Sequence, residues 1–182
     1  MDSDALKELF DIEHIKQLKA RYCRYVDTKQ WEHLRALFTV DARLEGLGSA
    51  PNGATVDVFI TGISTRFKDA VSIHYCPTPE IRLTGANSAR GVWSMMDYVQ
   101  WPDGFSPREA PNARGFRGYG HYEEEYRRVG ETWKIALLRL TRVRVDPIGA
   151  NEAAPSKGLL AVSPDWLGIH GAGHTDSLRR SG

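Results

Sequence analysis

Apolar residues recur every three or four positions through the first part of the chain, with charged residues between them. This spacing is typical of an amphipathic helix with one buried face. The residues of that face are Leu6, Leu9, Ile12, Ile15, Leu18, Tyr22 and Tyr25. The period shifts near Asp27 and resumes from Trp31 to Phe38, which predicts a second, short helix. Because Asp favours helix ends over helix interiors, we expect a bend at Asp27 that can direct its side chain into a cavity.

The pattern changes after residue 38 and again after residue 70. A short strand is predicted at 43–47 and a third helix at 56–67, where β-branched residues leave a loop or a strand as alternatives. Long segments of strand-forming residues then follow, at 71–83, 88–101, 116–129 and 132–145. The loop between the second and third of them is rich in Pro, Gly, Asp and Arg, and loops of that length are commonly functional.

Helices followed by a run of strands predict an α+β fold. We expect the three N-terminal helices to pack against one face of a strongly curved antiparallel sheet. Such a sheet forms a cone with an open mouth, and a concave pocket of this kind is the default location for a ligand or active site.

Residues 1–145 are therefore predicted to form one domain, and residues 146–182 a C-terminal tail. The tail contains several Gly, Pro and Ser residues, yet it keeps more large apolar residues than a purely flexible segment carries. These are Leu159, Leu160, Val162, Trp166, Leu167 and Ile169. We expect the tail to cover the body of the domain or a neighbouring subunit, with its last residues flexible.

Composition and charge exclude several classes of function. The chain has 182 residues, which suffices for one domain with a sizeable core, and its formal net charge of +1 gives no electrostatic reason to bind nucleic acid or an anionic membrane. No apolar run approaches the ~18 residues of a membrane span, and the acidic N-terminus lacks the order of a secretory signal. The two cysteines fit no metal spacing, so we expect a reduced, cytoplasmic protein without a metal.

An ionisable ring in the segment VSIHYCPTPEI raises the question of chemistry. His74 lies in the middle of a predicted strand that otherwise suits burial. A neutral core histidine is one interpretation, and taken alone it is the better one. The other is that the strand lines a pocket, where an imidazole with an unperturbed pKa of ~6.5 can accept a proton near neutral pH.

Three motifs resemble those of a known superfamily. They are LKARYCRYVDTKQWEHLRALFTVDA near the start, IHY on the first long strand, and GHYEEEYRRVGETWKI near the end. Over roughly residues 5–145 the chain resembles the SnoaL-like branch of the nuclear-transport-factor-2-like superfamily. That resemblance implies the cone-shaped α+β fold, and it says little about the substrate, because this fold hosts unrelated functions.

The resemblance also implies candidate catalytic residues. Scytalone dehydratase, hexachlorocyclohexane dehydrochlorinase and bile acid 7α-dehydratase carry an Asp at the end of the first helix and a His on the following long strand. Asp27 and His74 occupy those places, and Tyr22 matches a catalytic tyrosine of the bile acid enzyme. We therefore expect His74 to be a general base, Asp27 to orient it, and Tyr22 to be an acid or an oxyanion donor.

Further residues are expected to line the pocket. Related lyases place an Arg or a second His deeper in the cavity, at positions that align here with Leu138 and Val99. Neither of these two residues can stabilise a leaving group. Arg139, Arg142 or Arg144 could take that role instead. The chosen substrate-binding candidates are Tyr122, Trp93, Met95, Trp101, Phe59, Glu124 and Arg142. Glu124 is included because it shares strand parity with Tyr122.

These features together predict a cofactor-independent lyase acting on an aromatic or polycyclic small molecule. The step would be loss of water, loss of HX, or retro-aldol release of a small carbonyl fragment. An isomerase or polyketide cyclase, and a non-catalytic ligand-binding domain, remain as alternatives. His170 and His174 are four residues apart, but the intervening GAG disfavours a helix and no third ligand is near, so no metal site is expected. The superfamily further implies a homo-oligomer, a dimer or a trimer.

Overall fold

The computed structural model of the protein describes residues 3–149 and 151–153. It contains three helices before the long strands, α1 Ser3–Asp27, α2 Trp31–Ala36 and α3 Val56–Arg66. The strands are β1 Phe38–Glu45, β2 Val71–Tyr75, β3 Pro79–Gly85, β4 Ser88–Gln100, β5 Gly115–Val129 and β6 Thr132–Ile148. The predicted α+β fold is thus confirmed.

The six strands form one curved, open sheet. Its order is β1-β6-β5-β4-β2, and β3 also pairs with β4. The pairs among β2 to β6 are antiparallel, whereas β1 runs parallel to β6. The sheet is therefore mixed at one edge rather than antiparallel throughout. Parallel neighbours need a long connection, and here α3 and the strands β2 to β5 separate β1 from β6 in the chain.

Local chemistry explains where the elements begin and end. The Thr55 hydroxyl accepts a hydrogen bond from the backbone N–H of Val58 at 3.4 Å and so caps the N-terminus of α3. Residues 56–66 are therefore a helix rather than the loop or strand that their β-branched residues also allowed. The segment predicted as one strand at 71–83 is two strands. Pro77 between them has no N–H to donate, and Thr78 has a left-handed φ of 48°.

The concave face of the sheet carries the core. Along β4 and β5 every second side chain points toward the helices, and these inward positions include Trp93, Val99, Phe116 and Tyr122, all at most 4% exposed. Helix α1 buries the predicted face from Ile15 to Tyr25. Leu6 and Leu9, which were expected on the same buried face, are 43% and 55% exposed, because the first turns of the helix extend past the sheet and helices they would pack against. No helix within the described residues is long and apolar enough to cross a membrane.

The start of the predicted tail lies against the sheet edge. Strand β6 continues to Ile148, and beyond it Glu152 forms an ion pair with Arg117 at 2.7 Å. The Gln100 side chain donates a hydrogen bond to the carbonyl of Ala153 at 2.8 Å. The apolar tail residues Leu159 to Ile169 lie outside the described residues, so covering of the body or of a partner subunit stays a prediction, as does the homo-oligomer.

Candidate active site

Helix α1 ends at Asp27, and the Asp27 carboxylate does not cap the helix, so it can contact strand β2. The hydroxyl of Thr28 donates to the carbonyl of Arg24 at 2.6 Å and so caps the last turn. Lys29 follows with a left-handed φ of 60°, which turns the chain away from the helix axis. Asp27 is thus the last helical residue without serving as the cap, and its side chain reaches toward β2.

Asp27 and His74 meet through two hydrogen bonds. The backbone N–H of His74 donates to Asp27 Oδ2 at 2.8 Å, and His74 Nδ1 lies 2.7 Å from Asp27 Oδ1. An ionised carboxylate only accepts, so Nδ1 carries the hydrogen and the neutral ring keeps its lone pair on Nε2. Within the described part of the chain, Nε2 has no hydrogen-bond partner. The side chain of His74 is 7% exposed, and that of Asp27 is 20% exposed.

Neighbouring groups fix the ring and set its electrostatic surroundings. The Phe67 ring stacks on His74 with centroids 6.5 Å apart and an angle of 27° between the planes. The ammonium group of Lys29 donates to Ser72 Oγ at 2.9 Å. Burial lowers the pKa of Lys29 to about 8, although the charge of Asp27 acts in the opposite direction. A partly buried cation therefore accompanies the Asp27 carboxylate.

The imidazole faces a cavity between α3 and the concave side of the sheet. The lining side chains include Tyr22, Phe59, Arg66, His74, Tyr122 and Arg142. The open space is narrow, about 30 Å³. Because a cavity needs about 10–15 Å³ to hold one water, this space has room for about two waters.

A polar row crosses the sheet at the level of His74. His74 on β2 pairs with Asp97 on β4, which in turn pairs with Gly118 on β5. Arg142 on β6 reaches over Gly118 and forms an ion pair with Asp97. A Cβ atom at position 118 would lie 2.1 Å from Asp97 Oδ1, so glycine provides the space for this ion pair.

An irregularity in β6 just after Arg142 separates two arginines of the same strand parity, Arg142 and Arg144. The pairing of β5 with β6 shifts between Tyr119 and Gly120, and the shift leaves Val143 without a partner in β5. Bulges of this kind redirect side chains. Arg142 lies before the shift and shares the inward face with Leu138 and Leu140 by regular alternation, whereas Arg144 lies beyond the shift and is exposed in an ion pair with Asp146. Arg139 has the opposite parity and is exposed in an ion pair with Glu45.

A second ion pair closes another side of the cavity. Arg66 on α3 forms an ion pair with Glu109 from the loop between β4 and β5. The same guanidinium donates to the carbonyl of Gly48 at 2.7 Å, and the carbonyl of Arg66 accepts from the Trp101 indole at 2.8 Å. Arg66 thus joins a helix and two loops at the cavity wall.

Three polar atoms of the cavity wall lack partners within the described residues. They are Nε of Arg66, Nε of Arg142 and Oδ1 of Asp97, and all are buried. Unpaired buried polar atoms are uncommon in native proteins, since each costs about 1–3 kcal/mol. Their concentration around one cavity indicates a site suited to water or to a polar ligand group.

Two tyrosines form the side of the cavity next to α1. The rings of Tyr22 and Tyr122 meet edge to face with centroids 5.9 Å apart. Burial raises the pKa of both phenols well above the usual value. Both groups are therefore neutral at physiological pH and able to donate a hydrogen bond or a proton.

Comparison with known proteins assigns the family. The family model for the SnoaL-like domain matches residues 7–139. The chain belongs to the SnoaL-like family. The resemblance suggested by its motifs is confirmed.

Individual relatives of this SnoaL-like protein are distant. A relative named "Probable cyclase FGR4" from Gibberella zeae is 24% identical over 141 residues, which is 71% of this chain and 89% of the relative. A structure titled "Putative Scytalone Dehydratase" from Novosphingobium aromaticivorans has a TM-score of 0.66 at 19% identity, over 83% of this chain and 96% of the other. The hexachlorocyclohexane dehydrochlorinase LinA-type3 from Novosphingobium barchaimii has a TM-score of 0.65 at 18% identity, over 84% and 99%. The two structures establish a shared fold.

The cavity of the SnoaL-like domain brings together part of the predicted residue set. Tyr22, His74, Phe59, Tyr122 and Arg142 line it, and Asp27 lies directly behind His74. Trp93, Met95, Trp101 and Glu124 do not line it.

Each of those other four residues has a different environment. Trp93 donates to the Tyr126 hydroxyl at 2.7 Å, and Met95 is buried on β4 beside a separate surface pocket. Trp101 stacks on Phe105 with centroids 4.6 Å apart. Glu124 forms a buried ion pair with Lys19, behind the ring of Tyr122.

Sequence reasoning missed Asp97, Arg66 and Glu109. Asp97 has a usable signal, because it shares strand parity with Trp93 and Met95 and so is an acidic residue on a face built for burial. Arg66 and Glu109 have none, since they are 43 residues apart and meet only in the folded chain.

The donor set of the described residues does not suit a metal. No group of three or more His, Cys, Asp or Glu side chains in residues 3–149 and 151–153 is arranged to hold one. His170 and His174 lie outside those residues.

Proposed function

We propose that this protein is a cofactor-independent lyase that removes a proton from a carbon atom of a hydrophobic small molecule. The elimination releases water or HX. In a retro-aldol step the same base would instead take the hydroxyl proton of a β-hydroxycarbonyl substrate. The C–C bond would then break to release a small carbonyl fragment, and the enolate left behind would be protonated. One observation carries the proposal: the hydrogen bond between Asp27 and His74 leaves Nε2 without a partner among the described residues, on a ring that faces a partly polar cavity. This arrangement supports proton abstraction by His74 with Asp27 as the orienting group.

The proton moves from the substrate carbon to His74 Nε2. Asp27 holds the tautomer that leaves Nε2 free and stabilises the imidazolium that forms. The electron pair of the broken C–H bond forms the new double bond, and the bond to the leaving group breaks. A general base of this kind contributes roughly 10²–10⁴-fold to the rate.

The leaving group needs a proton or a positive charge. The neutral phenols of Tyr22 and Tyr122 suit a hydrogen bond to the leaving group, because their raised pKa keeps them protonated and makes complete transfer of the proton less favourable. Arg142 suits the supply of positive charge, since its Nε is buried at the cavity and unpaired within the described residues. Preorganised donors of this kind stabilise charge that develops in the transition state.

The size of the cavity limits what can bind without movement. A space of about 30 Å³ does not admit an aromatic ring, so part of the lining has to move when such a substrate enters. The wall around Arg66 is the part built from loops, at Gly48 and Glu109. We assign the entrance to that wall.

The named activities of relatives fit this chemistry. The names include a dehydratase, a dehydrochlorinase and a cyclase. Dehydration and dehydrochlorination can both begin with loss of a proton from carbon. A cyclase in the same cavity is the second candidate, and it is favoured by the relative with 24% identity. A non-catalytic ligand-binding domain is the third, and its ligand would require the same movement of the cavity lining.

A small panel of probes tests the proposal. Purified protein is incubated with scytalone, with hexachlorocyclohexane and with an aromatic β-hydroxyketone, and the products are measured by mass spectrometry. The lyase proposal predicts a product that has lost water, HCl or a carbonyl fragment, whereas an isomerase or cyclase product keeps the substrate mass. The variant His74→Gln should reduce turnover roughly 10²–10⁴-fold.

His121→Gln provides the matched control. His121 is exposed on the other face of β5, so its replacement should leave turnover unchanged. Equal turnover by the wild type and His74→Gln would contradict the assignment of the base. Binding of the probes without any product would favour the ligand-binding domain.

A further inference from the structure

The two cysteines of the chain lie next to each other behind the candidate active site. Cys23 on α1 and Cys76 just after β2 have their sulfur atoms 3.4 Å apart, although 53 residues separate them in the sequence. That distance is about 1.4 Å longer than the ~2.05 Å of a disulfide bond. Cys23 is buried and Cys76 is partly exposed, and both are free thiols.

Their positions relate directly to the Asp27–His74 pair. Cys23 lies four residues before Asp27, on the same face of α1. Cys76 lies two residues after His74, just beyond the end of β2, and the two residues line the same cavity. A bond between the sulfur atoms would therefore join the helix and the strand that carry the two candidate catalytic residues.

Solvent reaches the thiols through a second cavity, which His74 also lines. Its volume is about 230 Å³, and it is lined by Lys16, Lys19, Cys23, Cys76 and Trp93 among others. A small oxidant fits in this space. The hydrogen bond with Cys23 lowers the pKa of the Cys76 thiol, and the nearby charge of Lys19 acts in the same direction. Cys76 is thus the better nucleophile of the two.

We infer that Cys23 and Cys76 form a redox modification site, in which a hydroperoxide oxidises the two thiols to a reversible disulfide. The Cys76 thiolate attacks one oxygen of hydrogen peroxide, the O–O bond breaks, and a sulfenic acid and water form. The sulfur of Cys23 then displaces the sulfenic oxygen as a second water. Two thiols lose two electrons and two protons in total, and one peroxide becomes two waters.

The test uses the full chain under native conditions. Reduced protein is treated with hydrogen peroxide or, in a second arm, with oxidised glutathione, and the remaining thiols are alkylated before mass analysis. We expect an intramolecular disulfide, detected as a linked pair of peptides and reversed by dithiothreitol. Since the chain has only two cysteines, no other intramolecular disulfide can form.

Single variants separate the two thiols. In Cys23→Ser, Cys76 should form a sulfenic acid that dimedone captures, and in Cys76→Ser the buried Cys23 should react at least about tenfold more slowly. In the wild type, oxidation should raise the Tm by roughly 5–15 °C, because the bond closes a long loop in the unfolded chain. Dithiothreitol should return the Tm to the value of the reduced protein.

Two results would overturn the inference. One is that both thiols remain free after oxidation, as expected if the cysteines are only small apolar residues of the packing. The other is a disulfide between two chains, seen as a dimer that reductant separates. Both outcomes are independent of the proposed lyase activity, because disulfide formation is measured without a substrate.

Discussion

At the residue scale, the position of Asp27 is unfavourable for the helix that carries it. A carboxylate at the C-terminal end of a helix meets the negative end of the helix dipole, which costs about 0.3–1 kcal/mol. Asp27 does not offset this cost by capping, since both of its oxygens accept hydrogen bonds from His74. The residue therefore stabilises the position of His74, and this is what a role in orienting the imidazole requires.

The buried ammonium group of Lys29 predicts a pH-dependent stability. Its pKa is about 8 in the folded protein and 10.5 in the unfolded chain. Between these values the unfolded state binds more protons than the folded state, so the free energy of unfolding should rise with pH across this window. The gain is roughly 2–4 kcal/mol at most. Urea unfolding at several pH values between 8 and 10.5 measures it.

Matched lysine variants isolate this effect. In Lys29→Met the rise in stability attributed to Lys29 should disappear, whereas Lys68→Met, which changes an exposed lysine, should retain it. An unchanged pH slope in Lys29→Met would show that other groups cause the dependence.

At the element scale, a glycine in β5 and a bulge in β6 determine which arginine reaches the cavity. Regular alternation directs Arg142 inward, and Gly118 in β5 leaves room for its ion pair with Asp97. The bulge at Val143 turns Arg144 outward, although Arg144 shares parity with Arg142. Alternation of residues alone could not choose between Arg139, Arg142 and Arg144, because a bulge changes which side chains face inward. The strands themselves were predictable, since their period of two is a local signal.

Gly118→Ala tests whether the Asp97–Arg142 ion pair needs the space that Gly118 leaves on the inward face of β5. The added methyl group would lie 2.1 Å from Asp97 Oδ1 and 2.8 Å from Arg142 Nε, so we expect a loss of about 1–3 kcal/mol in the free energy of unfolding. Gly149→Ala is the control, because its added methyl group meets no atom within 4 Å. In an Asp97→Ala background the same Gly118→Ala change should cost markedly less. Equal costs in both backgrounds would contradict the steric account.

At the scale of the whole molecule, a buried ion pair joins the helical layer to the sheet. Lys19 of α1 and Glu124 of β5 are 1% and 0% exposed, and the Tyr126 hydroxyl also donates to Glu124. The ammonium group lies 3.4 Å from the centroid of the Tyr122 ring, directly behind the cavity wall. Removal of one partner leaves a charge buried without its counter-ion, which costs about 3–5 kcal/mol.

A double-mutant cycle measures this contact between layers. Lys19→Met and Glu124→Gln should each destabilise the protein, and the double variant should lose clearly less than the sum of the two. Arg127→Met is the control, because Arg127 and Asp41 form a surface ion pair, 49% and 57% exposed, which solvent screens and which contributes little to stability. Additive losses in the cycle would show that the two side chains act independently.

The sequence predicted more of the fold than of the cavity. Helical periodicity, strand alternation and the family motifs depend on residues close together in the chain, and they led to the α+β fold and to Asp27 and His74. The cavity wall depends on contacts between distant segments, such as Arg66 with Glu109 and Lys19 with Glu124. The same dependence explains why Trp93, Met95 and Trp101 were expected in the wall, although they are packed elsewhere.

The most direct test of the central claim is the protonation state of the two His74 nitrogens, measured by long-range ¹H–¹⁵N correlation NMR at neutral pH. The signal of His74 is assigned by its loss in His74→Gln, since the chain has six histidines. The account predicts a proton on Nδ1, a bare Nε2, and a weaker preference for this tautomer in Asp27→Asn. A ring that carries its proton on Nε2 would contradict the assignment of His74 as the base.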